Sequence, residues 1–417
     1  MEQKDHFLGY RCSLCGNEYT PDKVTYTCPK EGGNLDIVLD YQSIKKSTSP
    51  EVVQASQDHS LWRYLPLLPI GDPEGYLTPL RAAGWTRLFS PSAMRLRLGL
   101  QFLWVKDESY NPTASFKDRA SAVVVGRARE IGAQVVVTAS TGNAGAALAG
   151  MAAAVGHQAV ILAPRSAPPA KIAQLLIFGA QVYLVDGNYD QAFELSIQAA
   201  REFGWYCRNT GYNPFTAEGK KTAALEIWEC LLSRQTFESP LTIFVPVGDG
   251  NIISGIHKGF KDLQELGWLE QMPRLFGIQA EGSAAIANAF INGTETITPV
   301  AANTLADSIS VDFPRDGVRA VRAARQTGGK YIKVSDGEIL NAMAELGKAG
   351  IFAEPAGATS YAGLLKAIEK GDIQAEDPVL VLNTGSGLKD VGAVSKAVSE
   401  ATVIEPELEA VRRAIAL

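Results

Sequence analysis

No apolar run in this 417-residue chain approaches the roughly 18 residues that a membrane-spanning helix requires, so no membrane partner is expected. Basic residues are not in excess either. The 39 Lys and Arg stand against 45 Asp and Glu, giving a formal net charge of −6. A nucleic-acid surface needs clustered Lys and Arg, and this balance argues against a nucleic-acid partner. Cysteine is scarce, with five in the whole chain, which is no basis for a disulfide framework. Cys12, Cys15 and Cys28 nevertheless crowd into the first 28 residues, a pattern that points to a metal or its remnant in a reducing compartment. The start, Met1-Glu2-Gln3-Lys4-Asp5, is polar and no signal-peptide core follows it, so a cytoplasmic location is expected. Repeats and low-complexity tracts are missing. His59, His157 and His257 stand apart from every motif below and read as structural, as do Cys207 and Cys230. The remaining composition, 46% apolar and 20% charged, is that of a soluble globular protein of two or three units.

The first 45 residues read as a small separate module. A knuckle lies at residues 10–16, and short strands are predicted at residues 24–28 and 35–38. Polar residues 43–60 show no apolar periodicity and are expected to be a linker. Beyond them, short apolar strands alternate with amphipathic helices. Strands at 102–105, 135–137, 159–162, 182–185, 241–245, 275–278 and 379–382 are interleaved with helices near 116–131, 144–155, 171–178, 252–266 and one ending at 203. Continuously apolar strands between helices indicate parallel βαβ units with both sheet faces covered, an α/β fold. Ligands bind such sheets outside the carboxyl ends of the strands.

Four loops at those ends carry chemistry. In Asn111-Pro112-Thr113-Ala114-Ser115-Phe116-Lys117-Asp118-Arg119, Lys117 opposes the dipole of the helix it begins. Removal from water and a positive neighbourhood would lower its pKa, as an amine that attacks carbonyls needs. A lone lysine of this kind is more often solvated. The loop Ser140-Thr141-Gly142-Asn143 ends at a helix start whose free N–H groups suit a carboxylate, although a simple helix cap would look the same. Gly248-Asp249-Gly250-Asn251-Ile252 places glycines where backbone amides can approach a phosphate; it matches neither a Walker loop nor a dinucleotide fingerprint. The last, Asn383-Thr384-Gly385-Ser386-Gly387-Leu388-Lys389-Asp390, offers the Thr384 hydroxyl.

Taken in order, and with Glu218-Gly219-Lys220-Lys221-Thr222 and Glu354-Pro355-Ala356-Gly357-Ala358, these motifs resemble the threonine synthase family of fold-type II pyridoxal-phosphate enzymes. The resemblance runs from about Trp62 to the C-terminus, and the Cys-rich head is similar to a zinc ribbon. It implies two doubly wound parallel-sheet domains: a large one from residues 46–117 and 210–417 that binds pyridoxal 5′-phosphate, and a small α/β one from 118–209. Residues 1–45 would form the ribbon-like module. Lys117 is implied as the Schiff-base lysine and general base. Phe116 would pack beside the cofactor ring, Asn143 would contact its 3-hydroxyl, and Thr384 would face its pyridine nitrogen. Gly248, Asp249, Gly250, Asn251 and Ile252 would cradle its phosphate. Ser140, Thr141, Gly142 and Asn143 would hold the substrate's carboxylate. A neutral hydroxyl at the ring nitrogen leaves a weaker electron sink, which suits elimination and replacement better than transamination. The implied reaction converts O-phosphohomoserine and water to L-threonine and phosphate by γ-elimination and β-addition, in a homodimer.

The chain departs from the family at four places, one of them the run Gly248-Asp249-Gly250-Asn251-Ile252-Ile253, which differs from the family's Gly-Asn-X-Gly-Asn form. Thr216 stands where family members carry Arg after Asn-Pro-aromatic, and Ala144 stands where Thr follows Ser-Thr-Gly-Asn. Both remove donors for a substrate phosphate, which Lys220, Lys221 or Arg119 would have to replace, and Arg at position 216 is expected to restore binding. These losses keep open a threonine/serine dehydratase, a β-replacement enzyme acting on another activated amino acid, and a non-catalytic cofactor-binding regulator. In the head, Cys28 is followed at the second ligand spacing by Glu31, not Cys. Three thiolates and a carboxylate form a permitted zinc set, but no metal is expected to be held stably.

Overall fold

The computed structural model describes residues 6–74 and 76–415, so Met1–Asp5 of the polar start lie outside it. Three sheets organise the chain. In the head, β1 (Phe7–Cys12) pairs antiparallel with both β2 (Glu18–Tyr19) and β3 (Leu35–Leu39). The strand predicted at 24–28 is not formed. That stretch is turn, with one isolated bridge from Thr27 to Asn34, because Cys28 accepts a backbone bond from Gly32 and closes a tight loop. Residues 43–60 are not a bare linker. Two short helices, Tyr41–Ser47 and Pro50–Gln54, are capped by Asp40 and Ser49 and bury Ile44 and Val53. Each buries a single apolar side chain, too few to show as periodicity.

After β4 (Arg87–Phe89) and β5 (Phe102–Asp107) come the four strands of the smaller sheet. These are β6 (Val135–Ala139), β7 (Gln158–Pro164), β8 (Gln181–Val185) and β9 (Tyr206–Cys207), in spatial order β8-β7-β6-β9, all parallel. The larger sheet adds β10 (Thr242–Pro246), β11 (Arg274–Ala280), β12 (Lys330–Val334) and β13 (Pro378–Asn383), in order β12-β11-β10-β13-β5-β4. It is parallel except at one edge, where β4 runs antiparallel to β5, a strand that the parallel expectation did not include.

Apolar strands bury both faces of each sheet except at the edge strands β4 and β8, whose residues are exposed or half-buried, so the full cover expected at 182–185 is not formed. Ile243, Val245, Leu380 and Leu382 pack with Ile253, Ile256 and Phe260 of the helix Asn251–Glu265. The alternate residues Phe244, Val379 and Val381 pack on the other face with Ala358, Tyr361 and Leu364 of the helix Pro355–Glu369. In the smaller sheet Val136 and Ile161 face one cluster, while Val137 and Val160 face Phe193 and Ile197. The head is not separate. Phe7, Tyr10, Leu35 and Ile37 belong to the same apolar cluster as Trp62 and Phe215.

Candidate active site

Adjacent strands β5, β13 and β10 end together at the carboxyl edge of the larger sheet, so three of the informative loops leave side by side. The fourth leaves β6 of the smaller sheet. Lys117 is the first residue of the helix Lys117–Glu130, and the loop before it is clamped. Phe116 N–H donates to the Thr384 carbonyl at 2.9 Å, Ser386 N–H donates to the Ala114 carbonyl at 3.1 Å, and Ser115 bridges Gly385. Ala114 is held at φ 61°. That left-handed conformation costs an L-residue about 1–2 kcal/mol, which the bonds around it offset. Asp118 accepts from Thr113 N–H at 2.6 Å and from the Thr113 hydroxyl, and its carboxyl is pushed up to about 6 by burial.

Lys117 opens onto a cavity lined by Gly248, Asp249, Gly250, Asn251, Ile252 and Thr384, with Thr210, Lys220 and Ser308 among the other walls. A Cβ on Gly248 would lie 2.7 Å from the Ile309 Cα, and Gly250 holds φ 94° immediately before the helix Asn251–Glu265. Only glycine permits this close turn, and the first N–H groups of that helix have no intrahelical acceptor. Ser308 also lines an adjoining cavity that holds Thr141, Gly142, Asn143, Lys171, Glu354 and Lys389.

Burial pushes the Lys117 amine down from its ordinary value, with Glu354 and Asp249 opposing the fall and Arg208 and Lys389 adding to it. A lowered lysine has more of the free amine that reacts with a carbonyl. Burial raises the Glu354 carboxyl, while Lys117 and the bonds from Asn143 counter the rise. Asn143 Nδ2 donates to both Glu354 oxygens at 2.9 and 3.0 Å. Burial also raises the carboxyl of Asp249 to about 6, and its Oδ2 has no hydrogen-bond partner.

Not every expected residue reaches a wall. Phe116 is fully buried with its ring 5.6 Å from the Arg119 guanidinium carbon, and it lines neither cavity. Ser140 accepts from Gly142 N–H at 3.3 Å and serves the turn. The expected replacements for the missing phosphate contacts are largely engaged elsewhere. Arg119 is clamped between Glu108 and Glu226, and Lys221 bonds Asp262 at 2.7 Å and Glu218 at 2.5 Å. Lys220 does reach the site, donating to Asn251 Oδ1 at 2.7 Å. Thr216 is wholly buried and its hydroxyl bonds the Asn213 carbonyl at 2.7 Å and Asn251 Oδ1 at 3.2 Å. An arginine there would be overpacked, which corrects the expectation that it would restore binding.

Sequence reading passed over Glu354 as a site residue, although its motif was visible. It also passed over Arg208, Thr210 and Ser308, which sit outside glycine-rich motifs. The head contributes as well. Arg319 donates to Asp36 Oδ1 at 2.6 Å and to both oxygens of Asp316 at 2.6 and 2.7 Å, and Asp316 Oδ2 accepts from Asn251 Nδ2 at 2.6 Å. A continuous chain of bonds therefore joins the head to the Gly248–Ile252 turn.

Comparison with known proteins adds to this geometry. Residues 80–385 match a family described as pyridoxal-phosphate dependent enzyme. The chain is 39% identical to threonine synthase of Methanocaldococcus jannaschii over 406 residues, 97% of this chain and 98% of that protein. Against threonine synthase of Synechocystis it is 36% identical over 383 residues, 89% of this chain and 95% of the relative. Among solved structures, threonine deaminase isoform 2 of Solanum lycopersicum superposes with a TM-score of 0.65 at 21% identity, covering 78% and 86% of the two chains. Diaminopropionate ammonia lyase of Escherichia coli gives 0.66 at 19% identity, covering 86% and 92%. At such identities these structures establish the fold alone.

Proposed function

Because this chain belongs to the threonine synthase family of pyridoxal-phosphate-dependent enzymes, we propose that it converts O-phosphohomoserine and water to L-threonine and phosphate. Its cofactor is pyridoxal 5′-phosphate, and the residues present fit that group. The glycine turn at Gly248 and Gly250 admits a phosphate against free helix N–H groups, and Lys117 lies on the wall of the same cavity with a lowered pKa. That coincidence of a reactive amine and an anion cradle in one cavity carries the reading.

In this reading Lys117 would bear the cofactor, and its Nζ would carry protons between the α, β and γ carbons of the substrate. Gly248, Asp249, Gly250, Asn251 and Ile252 would hold the cofactor phosphate, and Lys220, whose amine burial pushes well down, would supply a neighbouring donor. Thr384, on the wall of the same cavity, would offer the ring nitrogen a neutral hydroxyl. The N–H groups and side chains of Thr141, Gly142 and Asn143 receive the substrate carboxylate, while Glu354 orients Asn143. When bound, the cofactor supplies the electron withdrawal that makes those carbons acidic. Burial of the cavity walls keeps bulk water from the reacting atoms until one water is added at the β carbon.

Two further parts of the reading concern the whole enzyme. The division into residues 46–117 with 210–417 and residues 118–209 is supported by the two parallel sheets, whose strands separate along those lines. A cytoplasmic homodimer is the expected state, and light scattering at twice the 44.6 kDa chain mass checks it. Among the described residues no helix is long and apolar enough to cross a membrane.

Steady-state assays with O-phosphohomoserine, threonine, serine and O-phosphoserine test the substrate. Threonine should form from O-phosphohomoserine. Rapid 2-oxobutyrate release from threonine, with no threonine made, would sink the reading in favour of a dehydratase. Borohydride treatment should fix a pyridoxyl group on Lys117, and Lys117→Ala should lose it while the fold persists. Peptide mapping to another lysine would overturn that assignment.

A further inference from the structure

Three of the five cysteines meet in the head, and none of the five lines either cavity of the candidate active site. The sulfurs of Cys12, Cys15 and Cys28 lie within 4.8 Å of one another. Two tight turns bring them together. Gly16 N–H donates to the Cys12 carbonyl at 3.0 Å, and Gly32 N–H donates to the Cys28 carbonyl at 2.8 Å. Ser13 N–H then joins the first turn to the Asn34 carbonyl at 2.9 Å, beside the pairing of Cys12 with Leu35.

Paired turns of this kind suit a structural zinc, which takes four ligands. The residues present do not fit one. Glu31, at the spacing of the fourth ligand, stands outside the group and faces Lys30 at 3.9 Å. Cys28 Sγ has the Tyr19 hydroxyl at 3.0 Å instead. Three thiols crowded together without a fourth ligand have another chemistry open to them, and their positions divide the work. Cys12 and Cys28 are buried, whereas Cys15 is half-buried. Cys15 Sγ lies 3.9 Å from Cys28 Sγ. A disulfide needs about 2 Å between sulfurs, so the pair has only about 2 Å to close. Leu14, Gly16 and Asn17 around Cys15 are exposed, and no core packing opposes that shift. Cys12 Sγ is occupied otherwise, accepting from Leu14 N–H at 3.4 Å. The remaining two thiols belong elsewhere, Cys207 to β9 of the smaller sheet and Cys230 to residues 228–232.

We propose that Cys15 and Cys28 form a reversible dithiol–disulfide site, in which Cys15 meets small organic disulfides and Cys28 resolves them. The Cys15 thiolate attacks one sulfur of the organic disulfide, forming a mixed disulfide and expelling one thiol. The Cys28 thiolate then attacks the Cys15 sulfur, forming the internal bond and expelling the second thiol. The protein gives up two electrons and two protons, and the organic disulfide is reduced to two thiols. The Tyr19 hydroxyl is placed to donate to the Cys28 sulfur while that sulfur is an anion. The new bond spans 13 residues and ties the first turn of the head to the second.

The test uses the full chain loaded with cofactor and purified under reducing conditions, as wild type, Cys12→Ser, Cys15→Ser and Cys28→Ser. Metal content is measured first. Each protein is equilibrated with mixtures of oxidised and reduced glutathione and alkylated, and its free thiols are counted after unfolding and mapped by peptide mass. The wild type should lose two of its five free thiols, with the Cys15 peptide linked to the Cys28 peptide, and dithiothreitol should restore all five. Cys12→Ser should form the same link. Cys28→Ser should accumulate glutathione on Cys15, because nothing resolves it, and Cys15→Ser should accumulate none on buried Cys28. The proposal is overturned if the wild type keeps all five thiols through the series, if a different pair links, or if one tightly held zinc per chain shields the three thiols. Where a serine variant fails to fold, the wild-type map decides, since it identifies the linked pair without any substitution. Turnover enters none of these measurements, so they succeed or fail independently of the substrate.

Discussion

Asp249 sits in the glycine turn with its carboxyl pushed up to about 6 by burial, with Asp316 adding to the rise and Arg315 and Lys220 opposing it. Above that pH the carboxylate is charged beside the place proposed for the cofactor phosphate. Below it the group is neutral. Cofactor affinity of the wild type should therefore rise as pH falls through about 6. The loss of charge on the phosphate itself, near a similar pH, would push affinity the other way. Asp249→Asn is neutral at every pH. It should bind cofactor about three- to tenfold more tightly at pH 8, equivalent to roughly 1 kcal/mol of relieved repulsion, and show no rise on acidification. Fluorescence titration of cofactor across pH 5–8 checks both. The same shift bears on stability. A carboxyl raised above its unfolded value binds its proton more tightly when folded, so the cofactor-free protein gains stability from this group as pH falls through 6 and loses it as pH rises. His257 acts oppositely. Burial lowers it to about 4, so its contribution is full above the ordinary histidine value and is lost as pH falls from there toward 4.

The helices Lys117–Glu130 and Phe215–Ile227 are tied by charges that no sequence pattern announces. Arg119 reaches Glu108 at 2.7 Å and Glu226 on the second helix, and Lys106 of β5 adds a bond to Glu226 at 2.6 Å. All four side chains are buried, so removing one cation leaves carboxylates without compensation. Arg119→Met should cost about 3–5 kcal/mol in urea unfolding, far more than a surface ion pair. Strands β5 to β7, β10, β11 and β13 were legible as apolar runs because both their faces are buried. The antiparallel edge β4 and the helices at 41–54 were not, since each has few buried positions. The four loops were legible by their order, whereas Arg208 and Glu354 gain meaning from partners far away in sequence. In the head, the Cys12, Cys15 and Cys28 sulfurs lie within 4.8 Å of one another. Glu31 is not part of that group; it pairs with Lys30 at 3.9 Å, and the Tyr19 hydroxyl sits 3.0 Å from the Cys28 sulfur. Purified protein is expected to carry well under one zinc per chain. Metal analysis finding one tightly held zinc, lost in Cys28→Ser, would contradict this.

Across the whole molecule the head and the site act as one body. Asp36 holds Arg319, Arg319 holds Asp316, and Asp316 holds Asn251 in the turn proposed to take the cofactor phosphate. Asp36→Ala should therefore weaken cofactor binding severalfold, from a loss of about 1 kcal/mol, although the substituted residue touches no cavity wall. Equilibrium dialysis at fixed pH measures it, and unchanged affinity would show the chain of bonds to be inert. The same contacts set an order in time. Tyr26 accepts from Cys207 N–H at 2.9 Å across 181 residues, Asn34 donates to the Gly211 carbonyl across 177, and Arg322 donates to the Ser13 carbonyl across 309. The stretch of chain that leaves the ribosome early thus finds these partners late. Closing loops of that length is slow, and until residue 322 has been made Tyr10, Leu35 and Ile37 have an incomplete surface to cover them. During synthesis the head is an apolar edge that waits for partners made up to 309 residues later.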